Sequence, residues 1–212
     1  MTTAKLARRA VLVASAIAAT AAIGAPEGAP TERSAVFAGG CFWGVEAVFE
    51  HVRGVKAAIA GYSGGSADAA SYVAVSQGDT GHAESVRVIY DPARVSYESL
   101  LEVFFAVAHD PTQLDRQGPD IGSQYRSEVF YADEQQRQAA TDYVAGLARS
   151  RTFRAPIVTR IEPLRGFYPA EYYHQHYVER HPDNPYVVIN DAPKLKLLRA
   201  KFPRLYRDAG TE

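Results

Sequence analysis

Hydrophobic positions follow two rhythms along this chain, and the switches between them mark out the elements. Residues 34–38 form a short apolar run that predicts a buried strand, and Val45, Val48, Phe49 and Val52 then recur at helical spacing until Gly54. Residues 55–62 predict a second strand, followed by a glycine-dense loop at 63–66. Alternation over 84–90 puts Glu84, Val86, Val88 and Tyr90 on one strand face. Ser96 is placed to cap a helix carrying Leu100, Leu101, Val103, Phe104, Phe105 and Val107. Residues 109–124 lose all periodicity, which predicts a long irregular loop, and such loops inside compact domains are usually functional. A strand over 125–131 comes next, then a helix that Asp133 and Gln136 open as a capping box, a strand over about 156–164 and a helix beginning at Pro169. Residues 184–208 read as a strand-like stretch and a short basic helix.

Strands interleaved with helices through mixed connections predict an α+β fold. The expected form is a two-layer α/β sandwich with a ferredoxin-like, or plait, core, irregular loops and a C-terminal extension. Nothing in the pattern calls for a second domain, a repeat or a heptad series.

The N-terminus changes the picture. Lys5, Arg8 and Arg9 precede an apolar stretch over 10–24 that ends in small residues and then Pro26, a secretory signal layout. Residues 1–24 are therefore expected to be a signal peptide and 25–212 a single catalytic domain, periplasmic or secreted. An uncleaved membrane anchor is the alternative, but the stretch is shorter than the roughly 20 residues a spanning helix needs. Its removal takes three bases and no acid from a chain of net charge −1, leaving a mildly acidic protein. No basic block with interleaved aromatics points to nucleic acid, and no nucleotide or flavin motif calls for a cofactor. A monomer is expected.

One cysteine stands in the whole chain. Export usually brings paired cysteines, so an unpaired one is a liability there unless it is used. Cys41 sits where the first strand ends and the first helix begins, after Gly39 and Gly40. Unpaired N–H groups at a helix N-terminus favour a thiolate, so a pKa lowered toward neutrality is expected. Glu84, on an apolar strand face, is expected to be desolvated and to keep its proton near neutral pH. An activated thiol, the aromatic pair Phe42 and Trp43, a protonated acid and tyrosines near glycine-rich loops fit attack by sulfur on an electrophile whose oxygen must be protonated. A cysteine hydrolase would need a histidine with an orienting partner, and none is visible. His174 and His176 fall on different sides of the predicted helix, so no metal site is expected.

Gly40-Cys41-Phe42-Trp43-Gly44, Gly61-Tyr62-Ser63-Gly64-Gly65, residues 78–84 and residues 117–127 together resemble, in order, the signatures of the A-type peptide methionine sulfoxide reductases, which act on the S epimer. The likeness runs from about Val36 to Phe202. It implies Cys41 as nucleophile, Glu84 as the acid that protonates the sulfoxide oxygen, and Tyr72 and Tyr125 as hydrogen-bond donors to that oxygen. It further implies Asp120 as an orienting group acting through water, and Phe42 and Trp43 as the cradle for the substrate methyl. The family commonly resolves the resulting sulfenic acid with further cysteines near the C-terminus. This chain has none and looks like the single-cysteine members, which implies recycling by glutathione, a glutaredoxin or a thioredoxin-like protein. A thiol peroxidase, or a module binding methionine-rich peptides, are the competing readings.

Overall fold

The structure is a computed structural model that describes residues 1–2 and 32–208. The predicted signal peptide falls almost entirely outside the described residues. None of the described helices is long and apolar enough to cross a membrane.

The chain runs β1 (Arg33–Gly39), α1 (Phe42–Glu50), β2 (Val55–Ser63), α2 (Tyr72–Val75), β3 (Ala83–Tyr90), α3 (Tyr97–Val103), β4 (Arg116–Gln117), β5 (Asp120–Ile121), β6 (Ser127–Tyr131), α4 (Glu134–Arg149), β7 (Arg160–Pro163), β8 (Tyr168–Pro169), α5 (Tyr177–Arg180) and α6 (Ala192–Lys201). The expected α+β class is what forms. A six-stranded sheet has the order β7-β6-β1-β3-β2-β8, antiparallel except for the β6–β7 pair.

Both faces of the sheet are covered, and the period of two along β1 divides them. Ala35 and Phe37 enter the main core with Phe49, Tyr97, Leu100 and Phe104, while Val36 and Ala38 face a smaller cluster with Ala83 and Phe130. Phe37 is the centre of the main core, stacked on Phe104 at 4.9 Å and on Phe49 at 5.2 Å between ring centroids. Offset aromatic pairs at this separation add roughly 0.5–1.5 kcal/mol each beyond their buried area. This packing holds α1 against β1 and β3, fixing where Cys41 emerges.

Both predicted caps form. Ser96 accepts the Ser99 N–H at 3.1 Å, and Asp133 accepts the Gln136 N–H at 2.8 Å. The differences lie where tertiary hydrogen bonds overrule local pattern. The strand expected over 125–131 begins only at Ser127, because Tyr125 ends a 3₁₀ turn, Ser123–Tyr125. Residues 156–159 stay outside the strand expected over 156–164, which shortens to β7.

No helix begins at Pro169. The Gln175 side chain instead bonds both the N–H and the C=O of Ala60 at 3.0 Å, saturating β2 there, and Glu46 takes the His176 N–H at 2.9 Å. With its backbone held from outside, the segment forms a 3₁₀ turn, Tyr172–His174, and His176 takes a left-handed φ of 54° before α5. Residues 187–191, read as strand-like from their branched side chains, form a π-helical turn leading into α6. Val187 packs there against Ala47 and Val178, and burial against α1 overrides its β preference. The loop expected over 109–124 contains a small hairpin, β4–β5, with Gln117 opposite Asp120.

Candidate active site

Cys41 is half-buried and immediately precedes α1. Gly40 makes the turn with φ of 89°, and a Cβ there would lie 2.5 Å from the Gln117 side chain, so glycine is required twice over. The Phe42 N–H, one of the free donors of the helix start, points at Glu84 and donates to its Oε2 at 3.0 Å. Glu84 is 3% exposed, near the start of β3, beside Tyr62 of β2. Burial pushes its pKa up to about 8, with Asp120 adding to the rise and the Phe42 N–H opposing it. The carboxyl therefore holds its proton at neutral pH, as its place on the apolar face predicts.

The thiol departs from expectation. Burial raises the Cys41 pKa well above that of a free thiol, and Glu84 and Asp191 raise it further, against the Trp43 N–H and Lys194. Magnitudes explain the outcome. A helix N-terminus contributes typically 0.3–1 kcal/mol, less than about one pKa unit, whereas burial can move a group by several units. The resting site is thus a neutral thiol beside a neutral acid. In Glu84→Gln the alkylation of Cys41 by iodoacetamide should set in at lower pH than in the wild type, because a facing acid is gone. Coincident pH profiles for the two proteins would refute that assignment.

An aromatic box stands over this pair. Phe42 is buried against Tyr62, and Trp43 is sandwiched, stacked on Tyr177 at 3.7 Å with Tyr186 edge-on at 5.8 Å. The indole N–H of Trp43 donates to His174 Nδ1 at 3.1 Å. His174 is 2% exposed, and its ring lies 4.4 Å from Tyr72 and 5.0 Å from Phe42. Burial lowers its pKa, so it is a neutral ring whose acceptor nitrogen fixes the indole. Tyr72, the first residue of α2, is held through its N–H by Glu171, which also accepts the Tyr62 hydroxyl. Burial and the nearby Glu84 raise the pKa of both Tyr72 and Tyr125, so both keep their phenolic protons. Asp120 arrives on the β4–β5 hairpin and accepts a short hydrogen bond from the Tyr186 hydroxyl.

All seven residues singled out in the sequence, Cys41, Phe42, Trp43, Tyr72, Glu84, Asp120 and Tyr125, converge here. The tyrosine-rich stretch around His174 and Tyr177 reads in the sequence as core packing and a wall of the substrate groove, through its family-like Tyr-His-Gln run, whereas Tyr186 was not foreseen as part of the site. His176 is parted from His174 and pairs with Glu50, which with Glu46 places three donor atoms within 4.8 Å. The Glu46 oxygens there accept the Ala60 and His176 N–H groups and tie α1 to β2.

A lone thiol, an adjoining protonated carboxyl and donor hydroxyls within an aromatic box define a cysteine-dependent oxidoreductase. The chain matches the family described as peptide methionine sulfoxide reductase over residues 33–205, and it belongs to that family. It is 52% identical over 180 residues to peptide methionine sulfoxide reductase MsrA 2 of Mesorhizobium japonicum, covering 85% of this chain and 92% of that one. It is 53% identical over 168 residues to a Synechocystis relative of the same name, covering 79% and 78%. Among solved structures it is similar to reduced Mxr1 of Saccharomyces cerevisiae, with a TM-score of 0.66 and 32% identity over 73% of this chain and 88% of that chain. Methionine sulfoxide reductase A of Corynebacterium diphtheriae gives 0.63 and 36% over 73% and 77%.

Proposed function

We propose that the protein reduces the S epimer of methionine sulfoxide, protein-bound or free, to methionine at Cys41. The observation that carries this is the buried, protonated Glu84 held by the N–H of the residue after the only thiol. The substrate methyl sits against Phe42 and Trp43, which fixes the face on which sulfur is approached. Glu84 gives its proton to the sulfoxide oxygen and takes the thiol proton as Cys41 Sγ bonds to the substrate sulfur. Tyr72 and Tyr125 donate to the same oxygen, stabilising the charge that grows there. Breaking the S–O bond and transferring oxygen to Cys41 releases methionine and leaves a cysteine sulfenic acid. Methionine sulfoxide and thiol become methionine and sulfenic acid, so the electrons balance.

With a single cysteine in the chain, an external thiol completes the cycle: glutathione, a glutaredoxin or a thioredoxin-like protein. The layout of residues 1–24 supports export, and so a reductant available outside the cytoplasm. We read the strand order β6-β1-β3-β2, with α1 and α3 as its crossing helices, as a plait core. One turnover without added thiol should yield about one equivalent of methionine per Cys41 from the S epimer and none from the R epimer. Methionine from neither epimer, with Cys41 verified as reduced, would refute the proposal. Peroxide consumption without preference for either epimer would favour a peroxidase instead.

A further inference from the structure

Where α6 begins, an acid is buried without an obvious structural task. Asp191 is 1% exposed and precedes α6, yet its side chain caps no N–H of that helix. Its Oδ1 is 3.3 Å from Lys194 Nζ, and its Oδ2 is buried with no hydrogen-bond partner. Leaving a buried carboxylate oxygen unpaired forfeits its hydration with nothing in return, so the arrangement calls for a reason.

The pair leans on the first turn of α1. A Cβ on Gly44 would lie 2.1 Å from Asp191 Oδ1 and 2.6 Å from Lys194 Nζ. Gly44 is three residues beyond Cys41, on the same side of the helix start. Both charges are felt at the thiol, together with Glu84, and the thiol in turn acts on Tyr72, Tyr125 and Tyr186. Glu84 comes to the helix start from β3, whereas Asp191 and Lys194 lean on its first turn from the C-terminal segment, so two separate acids act on the sulfur from different sides of the chain.

We propose that Asp191 and Lys194 form the proton- and charge-handling pair of the return half of the cycle, in which an external dithiol restores Cys41. This rests on the reductase reading above. The first thiol of the dithiol passes its proton to Asp191 and its sulfur attacks Cys41 Sγ. An S–S bond forms, the S–O bond breaks, and the departing hydroxide takes the proton from Asp191 and leaves as water. The second thiol attacks the dithiol's own sulfur in the mixed disulfide, and its proton passes by Asp191 to the departing Cys41 sulfur. Lys194 keeps its charge throughout and steadies the attacking thiolate in the first step and the departing Cys41 sulfur in the second. The electrons lost by the dithiol are those gained by the sulfenic sulfur.

The test separates the two halves. Cys41 sulfenic acid is formed with one equivalent of S sulfoxide and then mixed with dithiothreitol or thioredoxin, and the regained thiol is counted by mass spectrometry after alkylation. Asp191→Asn should slow this return step about a hundredfold, the range for a lost general acid or base, while slowing the methionine burst far less. Lys194→Met should slow the return step about tenfold, as befits a lost charge partner, and Lys194→Arg should restore most of the rate. Return rates equal to wild type in both Asp191→Asn and Lys194→Met would overturn the inference. So would burst and return falling in the same proportion without rescue by arginine, the signature of a merely structural pair. A wild-type protein that makes no methionine would instead refute the reductase reading beneath it.

Discussion

Cys41→Ser will form no methionine from either epimer, a loss of at least about 10⁴-fold in a single turnover. Serine matches the thiol in shape, and the site is already half-open at this position, so the fold should be unaffected. What is lost is the nucleophile: an alcohol is a far poorer donor to sulfoxide sulfur and forms no counterpart of the sulfenic acid. Quenched single-turnover assays with separated epimers, alongside a thermal unfolding curve, check both halves of this expectation. Residual methionine at wild-type rate would mean that sulfur attack by Cys41 is not the chemistry. Substrate binding should survive, because Phe42, Trp43 and the residues that hold them are unchanged.

Glu84→Gln should slow the burst by about 10²- to 10³-fold, the usual worth of a positioned acid. Glutamine keeps an oxygen for the Phe42 N–H, so the helix start stays anchored while the proton disappears. The pH dependence gives a second, independent reading. Because burial raises the Glu84 pKa to about 8, its proton is present below that pH and is lost as pH rises through it. The wild-type burst should therefore be level through neutrality and fall above about pH 8, and the variant should lack that falling limb. A wild-type burst that climbed steadily with pH would show that thiol ionisation, not the Glu84 proton, governs the rate.

Much of this site was legible before any fold was known. Gly40 before Cys41 signalled a turn into a helix start, and it is the turn that forms. Alternation over 84–90 placed Glu84 on the apolar face, from which its raised pKa follows by desolvation alone. Tyr72, Asp120 and Tyr125 were reached through the family likeness; neither periodicity nor composition singles them out. Tyr186 went unseen, and the individual parts played by His174 and Tyr177 within their tyrosine-rich stretch were not legible, because each owes its place to contacts with distant partners. His174 is held by the indole of Trp43, and Tyr186 by the carboxylate of Asp120. The misread segments share that cause: Gln175 and Glu46 capture backbone groups across the fold, and local preference yields.

The sequence by itself determined the α+β class, the one thiol placed at a helix start and the acid facing the core. These rest on local matters: the period of apolar residues, a glycine turn and the count of one residue type. Only the tertiary structure decided that the resting sulfur is a thiol, that Trp43 is locked by a neutral histidine, and that Asp191 and Lys194 stand against the start of α1. Burial and electrostatic fields depend on every group packed around a site, and here those groups come from β3, the β4–β5 hairpin, the turn before α5 and the start of α6. No window along the chain contains them together.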